Sequence, residues 1–320
     1  MPELSINANG RVTAGSDMTA SHPTALNRGH RGKDPYRNRT GARVFSVAMR
    51  WLVRLAALFT AGILIFLVGY ILVRGIPNLK PSLFEWTYNS DNVSLMPSLI
   101  NTLLMTVLAL LVATPLGVFA AIYLVEYAPR GSKLVKVVRL TAETLQGIPS
   151  IVYGLFGMLF FVTQLHFGLS LLSGSLTLAI MILPLIMRTT EESLMSVPDS
   201  YREGSFGLGA GKLRTVFAIV LPPAMPGILS GVILGTGRIV GETAALLYTA
   251  GSATKIASGA DFLFDSTRTL AVHMYVLSSE GLHVGEAFGT AVVLLVLVLA
   301  INAVSSLIAR TLTKGTQNDG

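Results

Sequence analysis

The chain alternates long apolar runs with short basic segments, and the runs are too long and too uniform to be the buried faces of soluble helices. Leu55 to Val73 carries no charge; the run it belongs to begins at about Trp51, with Arg54 placed to snorkel toward the head groups. A second run spans about Leu99 to Leu124, interrupted by Pro115 and Gly117. Such breakers are tolerated in a bilayer where neighbouring helices satisfy the freed backbone groups. Thr144 to Met187 contains no Lys, Arg, Asp or Glu. As one straight helix, at about 1.5 Å per residue, it would measure roughly 66 Å, about twice a bilayer core. It must therefore fold back, and the turn is predicted near His166 to Gly174. Two more runs follow, about Pro226 to Ala250 and about Gly285 to Ala309. The pattern predicts an all-α integral membrane protein with about six transmembrane helices.

Composition agrees: 52% of the 320 residues are hydrophobic and 13% charged, with a mean hydropathy of +0.63. There is no cysteine, which excludes disulfides, thiol catalysis and Cys-ligated metals. The net charge of +7 would suggest nucleic acid in a soluble protein, but here the basic residues flank apolar runs, so topology accounts for them and no nucleic-acid partner is expected. Six spans put both termini on one side. That side holds eighteen Lys and Arg: those up to Arg50, then Arg130 to Arg139, Arg188 to Arg214, and Arg310 with Lys314. The other side holds four, Arg74, Lys80, Lys255 and Arg268. The positive-inside rule places the eighteen, and both termini, in the cytoplasm.

The expected organisation follows. Residues 1–50 form a basic, disordered cytoplasmic tail without the apolar core of a cleaved signal peptide. Residues 51–98 hold the first span and an external loop, residues 99–310 a core of five spans, and residues 311–320 a cytoplasmic tail. The external stretch from Gly251 to Val284 has an apolar piece, Thr269 to Leu277, too short to span; it reads as an interfacial or re-entrant helix or as a packed loop, with the packed loop slightly favoured. His273 and His283 are far apart and lack a metal-ligand pattern, so no metal site is expected.

Two signals sit back to back between Tyr201 and Gly251. The first half is charged and glycine-rich, then broken by Pro222, Pro223 and Pro226. A short helix with small residues suits a cleft on a partner; a glycine then allows positive φ, and prolines start the next helix. Gly209, Gly211 and Lys212 faintly suggest a phosphate-binding loop, but Phe206 and Leu213 stand where it needs Gly and Ser or Thr. No nucleotide site is encoded there. The second half places Arg238 about twelve residues into a span, roughly 18 Å deep at about 1.5 Å per residue. An Arg there costs about 2.5–3.5 kcal/mol. Glu242, four residues on, is predicted to share its helix face and pair with it, with Thr243 adding a hydroxyl. Gly227, Gly231 and Gly235 continue that face at four-residue spacing and predict close approach of another helix. Such a face lines a solute path or fixes helix packing. No nucleophile or metal constellation for a membrane enzyme accompanies it.

The first half resembles the cytoplasmic EAA loop of bacterial ABC-importer permeases. Glu203, Gly204 and Ser205 open the pattern, Gly209 follows, and Ile219, Leu221 and Pro222 close it in register; glycine and serine replace the two alanines. The loop, at about residues 190–222, falls on the side assigned to the cytoplasm. The stretches Gly147-Ile-Pro-Ser-Ile-Val-Tyr-Gly-Leu-Phe-Gly157 and Gly237-Arg-Ile-Val-Gly-Glu-Thr-Ala244 are similar to signature stretches of phosphate ABC-transporter permeases of the PstA type. That resemblance covers about Leu99 to Ala309. It implies the type I importer permease (MetI-like) fold and a non-catalytic subunit without cofactors, translocating inorganic phosphate by alternating access. It also implies a second, PstC-like permease, two copies of a PstB-like ATPase and an extracytoplasmic PstS-like binding protein. Arg238 and Glu242 match the family's intramembrane Arg and Glu. A permease for sulfate or molybdate, or a channel, is the alternative.

Overall fold

The computed structural model describes residues 39–129 and 131–317, which form helices and turns without a strand. Residues 1–38 of the expected tail lie outside the described residues. The chain divides into two units, Met1–Ala61 and Gly62–Gly320. In the first, the described part is the leading portion of helix α1 (Arg39–Gly75), exposed at every position from Phe45 to Ala61. Helix therefore begins at Arg39, inside the stretch expected to be tail up to Arg50. Once an apolar run nucleates a helix, each further residue adds a hydrogen bond at little cost, so the helix extends outward.

The second unit holds the remaining helices. Helix α2 (Met96–Ile122) ends in one π turn, Tyr123–Tyr127. Helix α3 (Lys133–Gln146) is amphipathic and meets α4 (Ser150–Gly157) at a bend of 104°. Helix α4 continues as a π segment to Gln164. The predicted reversal falls at residues 165–170, where His166 and Gly168 adopt positive φ of 56° and 66°. Helix α5 (Leu171–Met195) descends from it, capped by the Ser170 hydroxyl, which accepts the Ser173 amide. Helices α6 (Asp199–Gly207) and α7 (Lys212–Arg214) form a hairpin that enters α8 (Leu221–Val240) through a π segment, Thr215–Val220. Helices α9 (Ala244–Thr249), α10 (Leu270–Glu280) and α11 (Val284–Gln317) complete the chain.

Five helices are long and apolar enough to cross a membrane, and the bent α3–α4 pair brings the number to six if it counts as one span. Helix α5 is the centre. Its most apolar window is 67% buried, against 28% or less for the other long spans, and α2 and α8 flank it. Met105, Ala109 and Ala113 of α2 pack with Leu178, Ile182 and Ile186 of α5. A second cluster joins Ile122 and Leu124 to Leu194, Val216 and Val220 near the hairpin. The glycine stripe of α8 faces α5: a Cβ on Gly227 or Gly231 would overlap the side chain of Ser193 or Thr189.

Three other expectations change. Thr144 to Gln146 close α3 rather than open a span. The apolar piece Thr269 to Leu277, favoured above as a packed loop over a short helix, is helix α10, started by Thr269, whose hydroxyl accepts the Val272 amide, and buried at Leu270, Val272, His273 and Leu277. The C-terminal helix runs to Gln317, through most of the expected tail at 311–320.

Candidate functional site: a hairpin and a broken span

The hairpin carries the residues predicted for partner docking. Helix α6 presents Glu203 and Gly204 to solvent, but Ser205 is buried and shares a 2.8 Å hydrogen bond with Thr215. Ser205 thus holds the hairpin closed instead of facing outward. Gly209 ends the helix at φ 82°, which glycine adopts without strain, and a Cβ there would meet open space. Ile219 is partly exposed in the π segment; Leu221 and Pro222 form the first turn of α8, where the missing proline donor costs nothing. A cleft of about 640 Å³ opens here between Tyr201, Gly204, Leu208, Arg214 and Ile219. Leu208 at its edge is 91% exposed. That Leu208 lines this cleft was not legible in the sequence, because a loop leucine carries no pattern until its exposure is known.

The second half differs most from its sequence. The span is not one helix over Pro226–Ala250. Helix α8 stops at Val240, the chain turns through Gly241, Glu242 and Thr243, and α9 begins at Ala244. Glu242 is therefore not one helical turn above Arg238, and the predicted ion pair is absent: among the described residues Arg238 makes no hydrogen bond or ion pair. Each charge is instead matched to a helix end. Arg238 stands in the last turn of α8, where backbone carbonyls carry partial negative charge. Glu242 is 9% exposed, and its Oε1 accepts the Ala245 amide at 3.1 Å, capping the start of α9. Thr243 is half-buried at the N-cap position of α9. At the break the Gly241 and Glu242 amides donate to the Gly237 and Ile239 carbonyls.

The two signature stretches meet in space. Gly154 of α4 lies so close to α9 that a Cβ there would sit 2.7 Å from Ala245 Cα. Tyr153 beside it is buried, donates to the Leu145 carbonyl at 2.8 Å, and lies within electrostatic reach of Arg238. The break in the span therefore rests on α4 and has a tyrosine for a neighbour.

Residues 113–318 match the family described as binding-protein-dependent transport system inner membrane component. The chain belongs to this family. It is 34% identical over 266 residues to a probable ABC transporter permease protein, YqgI of Bacillus subtilis, covering 78% of this chain and 89% of that protein. It is 36% identical over 219 residues to the phosphate transport system permease protein PstA 1 of Mycobacterium tuberculosis, covering 68% and 71%. Among solved structures, an importer of the acidic polysaccharide alginate superposes with a TM-score of 0.60 at 15% identity, over 85% of this chain and 99% of that one. The MetNI methionine transporter, in inward-facing conformations, gives 0.51 at 20% identity, over 76% and 97%. At those identities the likeness concerns the fold, which is that of ABC importer permeases.

On the opposite side of this permease from the hairpin, α10 is tied to α2. Thr102 Oγ1 accepts the Leu270 amide at 2.8 Å, and Asn101 bridges the Lys255 carbonyl and the Ala257 amide. Arg268 is 3% exposed and lies 4.7 Å over the Tyr88 ring, which His273 meets edge-on. Burial, reinforced by the Arg268 charge, pushes the His273 pKa down to about 3, so the ring is neutral.

Proposed function

We propose that the chain is the transmembrane permease subunit of an ATP-driven importer for inorganic phosphate. The observation that carries this is the 36% identity over 219 residues to a phosphate transport system permease, beside the family match over residues 113–318, which contain the broken span and the hairpin. The energetics of Arg238 support it. A cation in the last turn of a helix gains about 0.3–1 kcal/mol, at most about 2, while an Arg at mid-membrane costs about 2.5–3.5. The helix end alone does not offset the cost, and among the described residues no acid pairs with the guanidinium. A half-buried Arg with free donors is suited to a polar path through which an oxyanion passes.

In this reading Arg238, Glu242 and Thr243 line the path. Glu203, Gly204, Gly209 and Ile219, around the cleft beside Leu208, seat the hairpin on a separate ATPase, with Ser205, Leu221 and Pro222 setting its shape. The hairpin and both termini face the cytoplasm. The complex contains a second permease of PstC type, two PstB-like ATPase subunits and a PstS-like external binding protein. The permease itself catalyses no reaction. The test is reconstitution of the full complex in vesicles with ATP hydrolysis and uptake measured together. Phosphate, delivered by the binding protein, should stimulate hydrolysis and accumulate. Stimulation by sulfate or molybdate and not phosphate would reassign the substrate, and solute flux without ATP would mark a channel.

A further inference from the structure

The most heavily engaged side chain of the hairpin faces inward. Arg202 of α6 is 15% exposed and Glu126, in the π turn that ends α2, 8%. Arg202 Nη2 donates to Glu126 Oε1 at 2.7 Å and Nε donates to the same oxygen at 3.1 Å. The same guanidinium donates from Nη1 to the Val197 carbonyl at 2.8 Å and from Nη2 to the Leu194 carbonyl at 3.0 Å. Leu194 lies in the last turn of α5 and Val197 just beyond its C-cap, where helix geometry leaves carbonyls without their regular intrahelical partners. One planar group thus joins three elements. A second link runs parallel to it: Lys212, on the returning arm of the hairpin, lies 4.9 Å over the Tyr127 ring of the same π turn.

We propose that Arg202 and Glu126 form a brace that makes α2, α5 and α6 move as one body, so that displacement of the hairpin by the ATPase drives α2 directly as well as through the covalent connection to α5. The inference rests on the importer reading. Among the described residues, the pairs of Arg188 with Glu143 and Glu192 are exposed at both partners and contribute little. The Arg202–Glu126 pair is buried, and the remaining donors of its guanidinium meet the Leu194 and Val197 carbonyls and, at 3.3 Å, the exposed Asp199 carboxylate, the condition under which a buried pair holds one geometry and removal of one partner is costly. A flexible tether between α5 and α6 would need none of these contacts. The brace also joins the π turn, where α2 departs from regular helix, to the hairpin, so α2 cannot slide past α6 without breaking the hydrogen bonds between Arg202 and Glu126. Arg202 is a positioning residue in this account; it need not touch solute or ATPase.

The absence of cysteine from the chain makes the test clean. Leu103→Cys, at an exposed position on α2 far along the helix from the brace, reports whether α2 follows the ATPase stroke. In the full complex, labelling of this introduced thiol should differ several-fold between the nucleotide-free and ATP–vanadate states. Adding Glu126→Gln should reduce that difference to less than about twofold and lower phosphate moved per ATP at least fivefold, with the ATPase still co-purifying. Arg202→Lys keeps the charge but not the fork onto Leu194 and Val197, and should give an intermediate loss; it serves where Glu126→Gln does not assemble. An unchanged labelling response and transport ratio in an assembled variant would overturn the brace, as would a Leu103→Cys complex that hydrolyses ATP with no change in labelling. If the parent complex ignores phosphate, the substrate reading fails while the labelling comparison still decides the brace.

Discussion

At the scale of single residues, the permease meets charge in the membrane with helix ends rather than with an opposite charge. Arg238 and Glu242 are four apart in sequence, and their spacing predicts an ion pair. The structure separates them by ending α8 between them. This changes what an exchange of the two should do. A true i,i+4 pair survives Arg238→Glu with Glu242→Arg; here each charge would land at the wrong end of its helix, so the exchange should fail to assemble. Glu242→Gln keeps an oxygen for the Ala245 amide and should assemble with a stability loss of about 1 kcal/mol or less. Arg238→Lys should assemble but lose on the order of tenfold in phosphate uptake, because an ammonium lacks the planar fork. Recovery of transport in the exchanged variant would sink this account. His273 gives a second prediction. In the unfolded chain it protonates near pH 6.5, but in the fold only near pH 3. Between those values the unfolded state binds more protons, so stability falls as pH drops, by about 2 kcal/mol at pH 5. Thermal unfolding of His273→Phe between pH 7.5 and 5 should show a flatter dependence than the parent; an identical slope would exclude the histidine as its source.

At the scale of elements, the apolar runs were legible and their internal breaks were not. Hydropathy finds the lipid-compatible stretches because the bilayer imposes a length on them. It is insensitive to a kink. Gly241 and Thr243 are ordinary stop and start signals for helices, but in a run that is apolar from Pro226 to Ala250 they are outvoted by the average. Helix α10 was left undecided between a short helix and a packed loop for the opposite reason: eleven residues fall short of a span, although Thr269 is a good cap. The hairpin was placed by spacing, yet Ser205 turned out to face Thr215, since a pattern of small residues does not say which way each points. Two glycines test this level. Gly231→Val should prevent the close packing of α8 on Thr189 and reduce the amount of folded permease. Gly209→Val meets no neighbour but must hold φ near 82°, a strain of about 1–2 kcal/mol. It should leave the permease in the membrane with uptake per ATP reduced, whereas equal loss of folded protein in both would show Gly209 to be structural only.

At the scale of the whole molecule, the larger unit is arranged around a central helix, α5, flanked by spans of lower burial, with the hairpin at one end and the α10 anchor at the other. A reporter fused in the turn after Gly168 should read as external and one after Arg214 as cytoplasmic. The reverse result would put the hairpin out of reach of ATP. The charge count is the basis of this polarity, since Lys and Arg are retained on the cytoplasmic side during insertion. What the count could not supply was the α3–α4 bend, because α3 is too polar to register as a span and too apolar to register as a loop.

The break at Gly241 to Thr243 also bears on how the protein is made. A chain enters the membrane from its N-terminus, so α4 and α5 are in place before α8 and α9 arrive. The receiving surface for the interrupted segment, Gly154 against Ala245 and Thr189 against Gly231, therefore exists before the segment needs it. A chain permuted to place residues 150–195 last would present the interruption to lipid first, with nothing to close around it. The order of the helices along the gene is then part of the folding instruction, fixed by one turn between α8 and α9.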